Sequence, residues 1–341
     1  MRLLLAGFGH VGRTLATLLA DRAAHPGLDG LAATVVGITT GSHGAVADPA
    51  GLDLALAVRA YEAHGGFTAA HPDRADLDTP TAVATLDYDV LVELSPLSVA
   101  RRGEPAIAHV RAALAAGRHA VSANKGPVAW AYRELAGLAD RRGVLFRFES
   151  SVMDGAPVFN LARHGLRGNR VDRLDGVLNS TTNVVLESLA AGLGLDAAVA
   201  RAQSLGVAEA DPALDLDGWD AAVKLSALAN VLMDADLVPE EVAREGVGAV
   251  TAERLAAATA AGRVVKMVCT AERCGAGVAA SVRAVDLPLE HPLAGARGTS
   301  SVLRITGDLV GTVVVAEEAP DLRTTAYGVI ADLFEVADRL G

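Results

Sequence analysis

A short acidic segment carries the residues best suited to chemistry in this 341-residue chain. It holds five carboxylates and a single lysine, Lys224, within AQSLGVAEADPALDLDGWDAAVK, residues 202–224. The apolar spacing of Ala221–Leu232 predicts a helix, so Asp220 and Lys224, four residues apart, lie on one helical face. If this pair lines a cleft, Lys224 could pass a proton to a carbonyl oxygen.

The alternative for Asp220 and Lys224 is an ordinary surface ion pair, which on a helix is worth about 0.3–0.5 kcal/mol. Considered alone, the pair favours that alternative. Four further acids precede the pair and its flanks are apolar, whereas a solvated face usually mixes charges of both signs. The surroundings therefore favour a functional site, with Asp215 or Asp217 placed to cap the helix.

A glycine-rich turn follows the first predicted strand, residues 2–6. It has the pattern G-x-G-x-x-G and opens a helical run: Gly7, Phe8, Gly9, His10, Val11 and Gly12. The glycines permit a tight turn and the close approach of a pyrophosphate, and the helix N-terminus offers N–H donors and a positive dipole. In its strand–turn–helix context the motif predicts a dinucleotide site.

The end of the second predicted strand, residues 33–40, bears on which dinucleotide is preferred. An acid is expected there when the ribose 2′-hydroxyl is bound, but this turn contains none. Thr40, Ser42 and His43 could accommodate a 2′-phosphate, which slightly favours NADP over NAD. His43 could equally be a plain loop residue.

Strands and helices alternate through the first part of the chain, which predicts an α/β fold with a Rossmann-type, doubly wound parallel sheet. In that fold the loops at the carboxyl ends of the strands face the ligand. Four residues occupy such loops: Ser95, Pro96, Asn124 and Lys125. For Lys125, a solvated loop position and a ligand-facing role are about equally compatible with the sequence.

The remaining chain changes character and predicts an α+β domain with a mixed, partly antiparallel sheet. A strand at 172–178 leads into the polar loop Asn179-Ser180-Thr181-Thr182-Asn183. This loop offers donors to a small polar ligand, or it simply caps the helix that follows. Four later strands and a closing helix, residues 322–340, complete the pattern.

The composition excludes several classes of function. A formal charge of −11 argues against a nucleic-acid partner and against an anionic membrane surface, and no apolar run reaches transmembrane length. The first residues do not form a signal peptide. Only two cysteines occur, Cys269 and Cys274, and we expect both to be reduced thiols in a cytoplasmic protein.

Several motifs together resemble homoserine dehydrogenase over nearly the full chain. They are GFGHVG at 7–12, ELSP at 93–96, SANKGP at 122–127, ESSVMDGAP at 149–157, LNSTTN at 178–183 and the acidic segment at 202–224. The resemblance implies the reversible NAD(P)H-dependent reduction of L-aspartate 4-semialdehyde to L-homoserine, in threonine and methionine synthesis. It also implies a homodimer built on the sheet of the catalytic domain.

The resemblance further assigns roles to individual residues. Lys224 matches a proton-transferring lysine and Asp220 its partner, while Glu209 and Asp215 match acids that hold the amino and hydroxyl groups of the substrate. Lys125 matches a lysine near the nicotinamide, with a proposed role in cofactor binding or proton transfer. The polar loop completes the predicted substrate site with Asn179, Thr181 and Thr182.

A structural sodium ion is another ligand that the resemblance implies. Its loop matches Glu149, Val152, Asp154 and Ala156, largely through backbone carbonyls, and hard oxygen donors suit a hard cation. The predicted domains are a dinucleotide-binding domain at 1–148, a catalytic and dimerisation domain at 149–315, and a helix at 316–341 that returns to the first domain. Because the chain stops at Gly341, we expect no C-terminal regulatory domain.

Two other functions stay open at the level of sequence. One is another two-domain NAD(P)-dependent amino-acid dehydrogenase, in which Asp220, Lys224 and the polar loop would lack a purpose. The other is a non-catalytic nucleotide-binding dimer, against which the intact acids and Lys224 argue. Activity with homoserine separates both from the main prediction.

Overall fold

The computed structural model describes residues 1–209 and 211–341, and the chain divides into two compact units. The first unit comprises Met1–Pro127, Ala131–Gly155 and Asp321–Gly341, and the second comprises Val128–Trp130 and Ala156–Pro320. The α/β fold class is confirmed, since one sheet is largely parallel and the other is mixed. The domain boundaries drawn from the sequence, at 148 and 315, stay a prediction.

Seven strands form the sheet of the first unit: β1 (Arg2–Ala6), β2 (Thr34–Thr39), β3 (Ala45–Ala47), β4 (Arg74–Ala75), β5 (Val90–Glu93), β6 (His119–Ser122) and β7 (Phe146–Arg147). Their order is β4-β3-β2-β1-β5-β6-β7. The five strands from β2 to β7 are parallel, while β3 and β4 extend one edge antiparallel. The direction of winding reverses between β1 and β5, and a ligand crevice is expected at the strand carboxyl ends there.

Six strands form the sheet of the second unit: β8 (Val171–Val177), β9 (Ala243–Arg244), β10 (Arg263–Cys274), β11 (Gly277–Pro288), β12 (Ser301–Gly307) and β13 (Gly311–Glu317). Their order is β13-β12-β8-β10-β11-β9. β8 pairs antiparallel with both β10 and β12, and only β9 joins parallel, to β11. A tight hairpin turn between Gly307 and Gly311 joins β12 to β13.

Helices fill the connections between these strands: α1 (His10–Ala20), α2 (Leu54–His64), α3 (Thr79–Thr85), α4 (Ala106–Ala115), α5 (Gly126–Arg142), α6 (Val158–Asn160), α7 (Ser180–Ala190), α8 (Leu195–Ser204), α9 (Ala213–Leu216), α10 (Trp219–Met233), α11 (Ala252–Ala260) and α12 (Leu322–Leu340). The closing helix α12 has the predicted bounds. Its Val329, Ile330 and Leu333 belong to the same buried cluster as Leu3 and Leu5 of β1. The segment that connects α2 to α3 contains the short strand β4.

The helix that carries Lys224 is confirmed and is longer than predicted. Leu225, Leu228 and Ala229 of α10 are fully buried, as the helical spacing requires. Its predicted cap is wrong: the N-cap is Gly218, in the left-handed region at φ 78°. Neither acid can take that place, because Asp215 lies inside α9 and Asp217 ends it.

Candidate active site

Asn179 stands at the centre of a cluster of acids in the second unit. The central strand β8 ends just before it, and Asn179 is the N-cap of α7, whose Oδ1 accepts the backbone N–H of Thr182 at 2.8 Å. Its Nδ2 donates to Asp215 Oδ1 at 2.8 Å and to Asp220 Oδ2 at 2.9 Å. The capping role is confirmed, and the same side chain also brings two carboxylates together.

The predicted pair of Lys224 and Asp220 forms next to this amide. Lys224 Nζ lies 3.5 Å from Asp220 Oδ2, and both side chains are 17% exposed. The same ammonium donates to the carbonyl of Leu178 at 2.7 Å. The pair is therefore held by fixed partners in a largely buried setting, unlike an ion pair on a solvated helix face.

Thr181 supplies a contact whose geometry the sequence does not reveal. Its Oγ1 lies 2.8 Å from the carbonyl of Val207 and 2.8 Å from Asp215 Oδ2. A hydroxyl has one hydrogen, so it donates to one of these oxygens at a time. A protonated Asp215 could donate to Thr181 while Thr181 donates to Val207. An ionised Asp215 must compete with that carbonyl for the hydrogen.

The surroundings of Asp215 act on its pKa in opposite directions. Burial and the neighbouring charge of Asp220 raise the pKa of Asp215 above its ordinary value, while hydrogen bonds from Thr181 and Asn179 and the charge of Lys224 oppose the rise. Asp215 and Asp220 share one amide donor, and hydrogen bonds to a carboxylate favour its ionised form, so these bonds help to set which carboxylate holds a proton. Perturbed titrating groups of this kind are typical of functional sites.

The other predicted substrate residues lie outside this core. Thr182 is buried, and its hydroxyl donates to the carbonyl of Asn179 at 3.1 Å, so it serves the start of the helix. Glu209 is exposed, and its backbone carbonyl accepts a hydrogen bond from Gln203. The structure therefore brings together five of the predicted residues: Asn179, Thr181, Asp215, Asp220 and Lys224.

The glycine-rich turn of the first unit has the geometry of a dinucleotide cradle. Gly7 has φ 110°, and a Cβ there would lie 2.5 Å from the carbonyl carbon of Leu94. Gly9 caps α1 and has open space around it. A Cβ at Gly12 would lie 2.9 Å from the carbonyl oxygen of Gly7. Such a cradle fits a pyrophosphate at a helix N-terminus. Phe8 is buried, His10 is exposed and Val11 is half-buried, so Phe8 offers the ligand only its backbone.

The turn after β2 leaves two of its three predicted residues exposed to a ligand. Thr40 Oγ1 accepts the N–H of His43 and donates to the carbonyl of Gly44, so its hydroxyl is used by the turn. Ser42 and His43 are exposed. Arg74, from the distant strand β4, donates to the carbonyl of Ala45 at 3.2 Å and thereby brings a guanidinium to the turn. Sequence reasoning missed it because β4 is only two residues long.

The loops after β5 and β6 meet around a cavity of about 160 Å³ in the first unit. Its lining includes Val11, Ser95, Asn124 and Lys125, whereas Pro96 is exposed beside it. Asn124 Nδ2 donates to the carbonyl of Ser95 at 2.9 Å, which fixes the two loops to each other. Lys125 is the residue just before α5 and lines this cavity, and its ligand-facing role stays a prediction.

A buried acid that the sequence did not single out supports these loops. Glu93 ends β5 with no exposure, and its carboxylate accepts the N–H of Ser95 and contacts His109 Nδ1, each at 2.8 Å. His109 lies on α4. The sequence signal for this role was an acid directly after the apolar residues 90–92.

The predicted sodium loop lies in the first unit as far as Asp154. Glu149 and Val152 are buried, and the N–H of Glu149 donates to Asp332 Oδ2 at 2.8 Å. Asp154 is in the left-handed region at φ 40°, and its Oδ1 accepts the hydroxyl of Thr325 at 2.7 Å. The donors that this loop offers are oxygens, as a hard cation requires. Ala156 begins the second stretch of the other unit.

Some classes of site are absent from the part of the chain that the structure describes. Within residues 1–209 and 211–341, no three or more His, Cys, Asp or Glu side chains gather to hold a metal ion. Across the same residues, no helix has the length and apolar character to cross a membrane. Cys269 and Cys274 do not pair, and burial raises the pKa of the Cys269 thiol to about 12.

Comparison with known proteins identifies the family of this chain. The family model for homoserine dehydrogenase matches residues 157–334. An NAD(+)-dependent homoserine dehydrogenase of Pseudomonas canavaninivorans is 34% identical over 98% of this chain and 96% of its own. A homoserine dehydrogenase of Methanocaldococcus jannaschii is 32% identical over 98% of each chain.

Solved structures agree with this comparison. A putative homoserine dehydrogenase from Archaeoglobus fulgidus has a TM-score of 0.86 at 28% identity, covering 98% of this chain and 99% of its own. A hyperthermophilic archaeal homoserine dehydrogenase in complex with NADPH has a TM-score of 0.83 at 28% identity, covering 99% and 98%. Nothing in these comparisons favours an amino-acid dehydrogenase of another type or a non-catalytic protein.

Proposed function

This chain belongs to the homoserine dehydrogenase family, and we propose that Lys224 moves the proton in its NAD(P)-dependent conversion of L-aspartate 4-semialdehyde to L-homoserine. The cofactor, when bound, supplies or accepts the hydride. The observation that carries the proposal is the part-buried contact of Lys224 with Asp220 and the carbonyl of Leu178. It holds an acid with a transferable proton at a fixed position beside the cluster.

Lys224 acts on the oxygen atom of the substrate. In the reducing direction negative charge develops on the semialdehyde oxygen, and the ammonium stabilises this charge and delivers a proton. In the oxidising direction the amine takes the hydroxyl proton. Asp220 and the carbonyl of Leu178 fix the position of Nζ, so little reorganisation is needed at the moment of reaction.

The acids of the cluster bind the ammonium group of the substrate. L-Homoserine carries an ammonium group. Binding of this group explains why a dehydrogenase acting on an alcohol has a cluster of carboxylates. We assign this role to Asp215, supported by Asn179 and Thr181. Glu209 remains a proposed second contact. Lys125 remains a proposed catalytic or cofactor-binding residue, in line with its place in the loop cavity of the first unit.

For the cofactor we propose a preference for NADP over NAD. The relatives named above include one NAD(+)-dependent enzyme and one NADPH complex, so their names do not decide the matter. Ser42 and His43 are exposed at the turn after β2, and Arg74 adds the cation that the turn itself lacks. A guanidinium suits the two negative charges of a 2′-phosphate.

A structural sodium ion is part of the same proposal. Support comes from the oxygen-only donors of the loop that contains Glu149, Val152 and Asp154, and from Ser150, whose buried Oγ has no hydrogen-bond partner among the described residues. Replacing Na⁺ by tetramethylammonium at constant ionic strength should lower the melting temperature if the site is filled. An unchanged melting temperature would remove sodium from the proposal.

We also propose a homodimer that forms through the second sheet. Val314, Arg304, Asp175 and Thr270 are aligned across β13, β12, β8 and β10 on one face, and Val314 is 45% exposed. An exposed apolar side chain on the edge strand β13 is compatible with the homodimer that the resemblance implies. The two unpaired thiols suit the reducing cytoplasm, where we place the enzyme.

The test of the proposed function is the oxidation of L-homoserine, followed by the absorbance of reduced nicotinamide, with NADP and NAD in parallel. Turnover with either cofactor supports the activity, and the ratio of kcat/KM values decides the preference. A folded protein that binds nucleotide but turns over homoserine with neither cofactor would contradict the proposal. Light scattering of the same sample measures the oligomeric mass.

A further inference from the structure

Lys266 is a buried cation that the proposed chemistry does not use. It lies on β10 and is 1% exposed. The chain has only three lysines, and the other two, Lys125 and Lys224, already have proposed roles. A buried ammonium is costly unless it is paired and hydrogen-bonded, so its partners need an explanation.

Three oxygens from two separate segments converge on this ammonium. Nζ donates to Asn183 Oδ1 at 2.6 Å, to Glu187 Oε1 at 3.1 Å and to the carbonyl of Ala296 at 2.5 Å. An ammonium has three donors, so these contacts account for all of them. Burial lowers the pKa of Lys266, whereas Glu187 opposes that effect.

The same two segments are joined by further hydrogen bonds. Asn183 Nδ2 donates to the carbonyl of Gly298 at 2.9 Å, and Glu187 accepts the N–H of Gly298 at 3.3 Å. Ser180 donates to the carbonyl of Thr299 at 3.2 Å. Because lysine only donates, Lys266 fixes the Asn183 amide with Oδ1 toward itself, and Nδ2 must then face Gly298. The loop at 296–299 is thus fastened to α7 around Lys266.

The helical face held in this way is the one that reaches the acid cluster. Asn179, Asn183 and Glu187 are spaced four residues apart, so they follow one stripe of α7. Asn179 holds Asp215 and Asp220 at one end of the stripe, while Lys266 holds the other two residues. Movement of the first turn of α7 would shift Asn179 and Thr181 against Asp215.

We propose that Lys266 is a positioning residue, which anchors the first turn of α7 through Asn183, Glu187 and Ala296 and thereby sets the geometry of the substrate-ammonium site. This inference rests on the proposed function, because the site it positions is the site that binds homoserine. A compact ammonium suits the role, since three oxygens meet at one point and a planar guanidinium could not face all three.

The test compares Lys266→Met with a matched control, Met267→Ala. Methionine keeps the length of the side chain and removes every donor. We expect kcat/KM for L-homoserine to fall about tenfold, the loss typical of one charged hydrogen bond, through a higher KM for homoserine. The KM for the cofactor should stay within about twofold, because the first unit binds it.

Met267 is the next residue on β10, and it is also buried. Met267→Ala should lower the melting temperature at least as much while leaving kcat/KM for homoserine within about twofold of the wild type, since it creates a cavity without touching the network. Equal losses of kcat/KM in the two variants would reduce Lys266 to a general structural role and overturn the proposal. So would a Lys266→Met enzyme with wild-type kinetics.

A second variant and a second measurement keep the test decisive. If Lys266→Met does not fold, Glu187→Gln removes only the charge partner and should raise the KM for homoserine about threefold; an unchanged KM overturns the proposal. Hydrogen exchange of the amides at 181–184 should be faster in either folded variant than in the wild type. Hydrogen exchange is measured without turnover, so it tests whether Lys266 anchors α7 even if the protein does not oxidise homoserine.

Discussion

Removing the Thr181 hydroxyl should move the pH dependence of the enzyme. The substitution is Thr181→Val, which preserves shape and removes the oxygen that lies 2.8 Å from Asp215 Oδ2. Asp215 must be ionised to hold the substrate ammonium. Its pKa is already raised by burial and by Asp220, and Thr181 is one of the groups that oppose the rise. The variant should raise that pKa further.

The size of the effect depends on the hydrogen of the Thr181 hydroxyl, which Asp215 and the carbonyl of Val207 share. A hydrogen bond to a charged group is worth roughly 1.5–3 kcal/mol, but Val207 competes for this one, so we take the lower limit. About 1.5 kcal/mol corresponds to about a tenfold fall in kcat/KM for homoserine on the acidic limb of the pH profile. The acidic limb of the pH profile should move to higher pH, because the variant loses the ionised form of Asp215 sooner as the pH falls.

The assay is the pH profile of kcat/KM for L-homoserine, with Ser188→Ala as the control. Ser188 lies on the same helix and is fully buried, and its hydroxyl donates to the carbonyl of Val184 at 2.8 Å, away from the acids. Its removal should leave the profile in place. If Thr181→Val shows the wild-type profile and wild-type kcat/KM, Asp215 does not depend on this hydroxyl and the reasoning is refuted.

Two further predictions concern the charges around the site. Asp215→Asn should stabilise the fold at pH 7 by about 0.5–2 kcal/mol while lowering kcat/KM for homoserine at least about tenfold. A raised carboxyl pKa makes the ionised form unfavourable in the folded state, so the gain in stability should vanish as the pH falls below the ordinary carboxyl pKa of about 4. Urea unfolding at pH 7 and below pH 4 measures this difference. An unstable or fully active variant would contradict this account of the cluster. Arg74→Gln should raise the KM for NADP at least about fivefold and leave the KM for NAD nearly unchanged, as measured by parallel saturation curves. Equal changes in the two KM values would show that Arg74 plays no part in recognising a 2′-phosphate.

Local patterns predicted the elements that carry the chemistry. The glycine-rich turn, the Asp220–Lys224 pair and the bounds of α12 all depend on residues close in sequence, where periodicity and motif chemistry are informative. The helix cap was predicted wrongly because Asp215 has a stronger tertiary use: it accepts hydrogen bonds from Asn179 and Thr181, more than 30 residues away. Local spacing does not report such a contact.

The unforeseen contributors share this non-local character. Arg74 reaches the turn after β2 from a two-residue strand, and Lys266 meets Asn183 across 83 positions of the chain. His109 supports the loop of Ser95 through Glu93. Each is an ordinary polar residue in the sequence, and its partners become visible only when the sheets and helices have packed.

The most direct test of the central claim is Lys224→Met in the oxidation of L-homoserine, measured at saturating cofactor. If Lys224 moves the proton, kcat should fall by about 10²–10⁴, while nucleotide affinity and the melting temperature stay close to those of the wild type. A folded Lys224→Met enzyme with kcat within about twofold of the wild type would contradict the claim and leave proton transfer to another group.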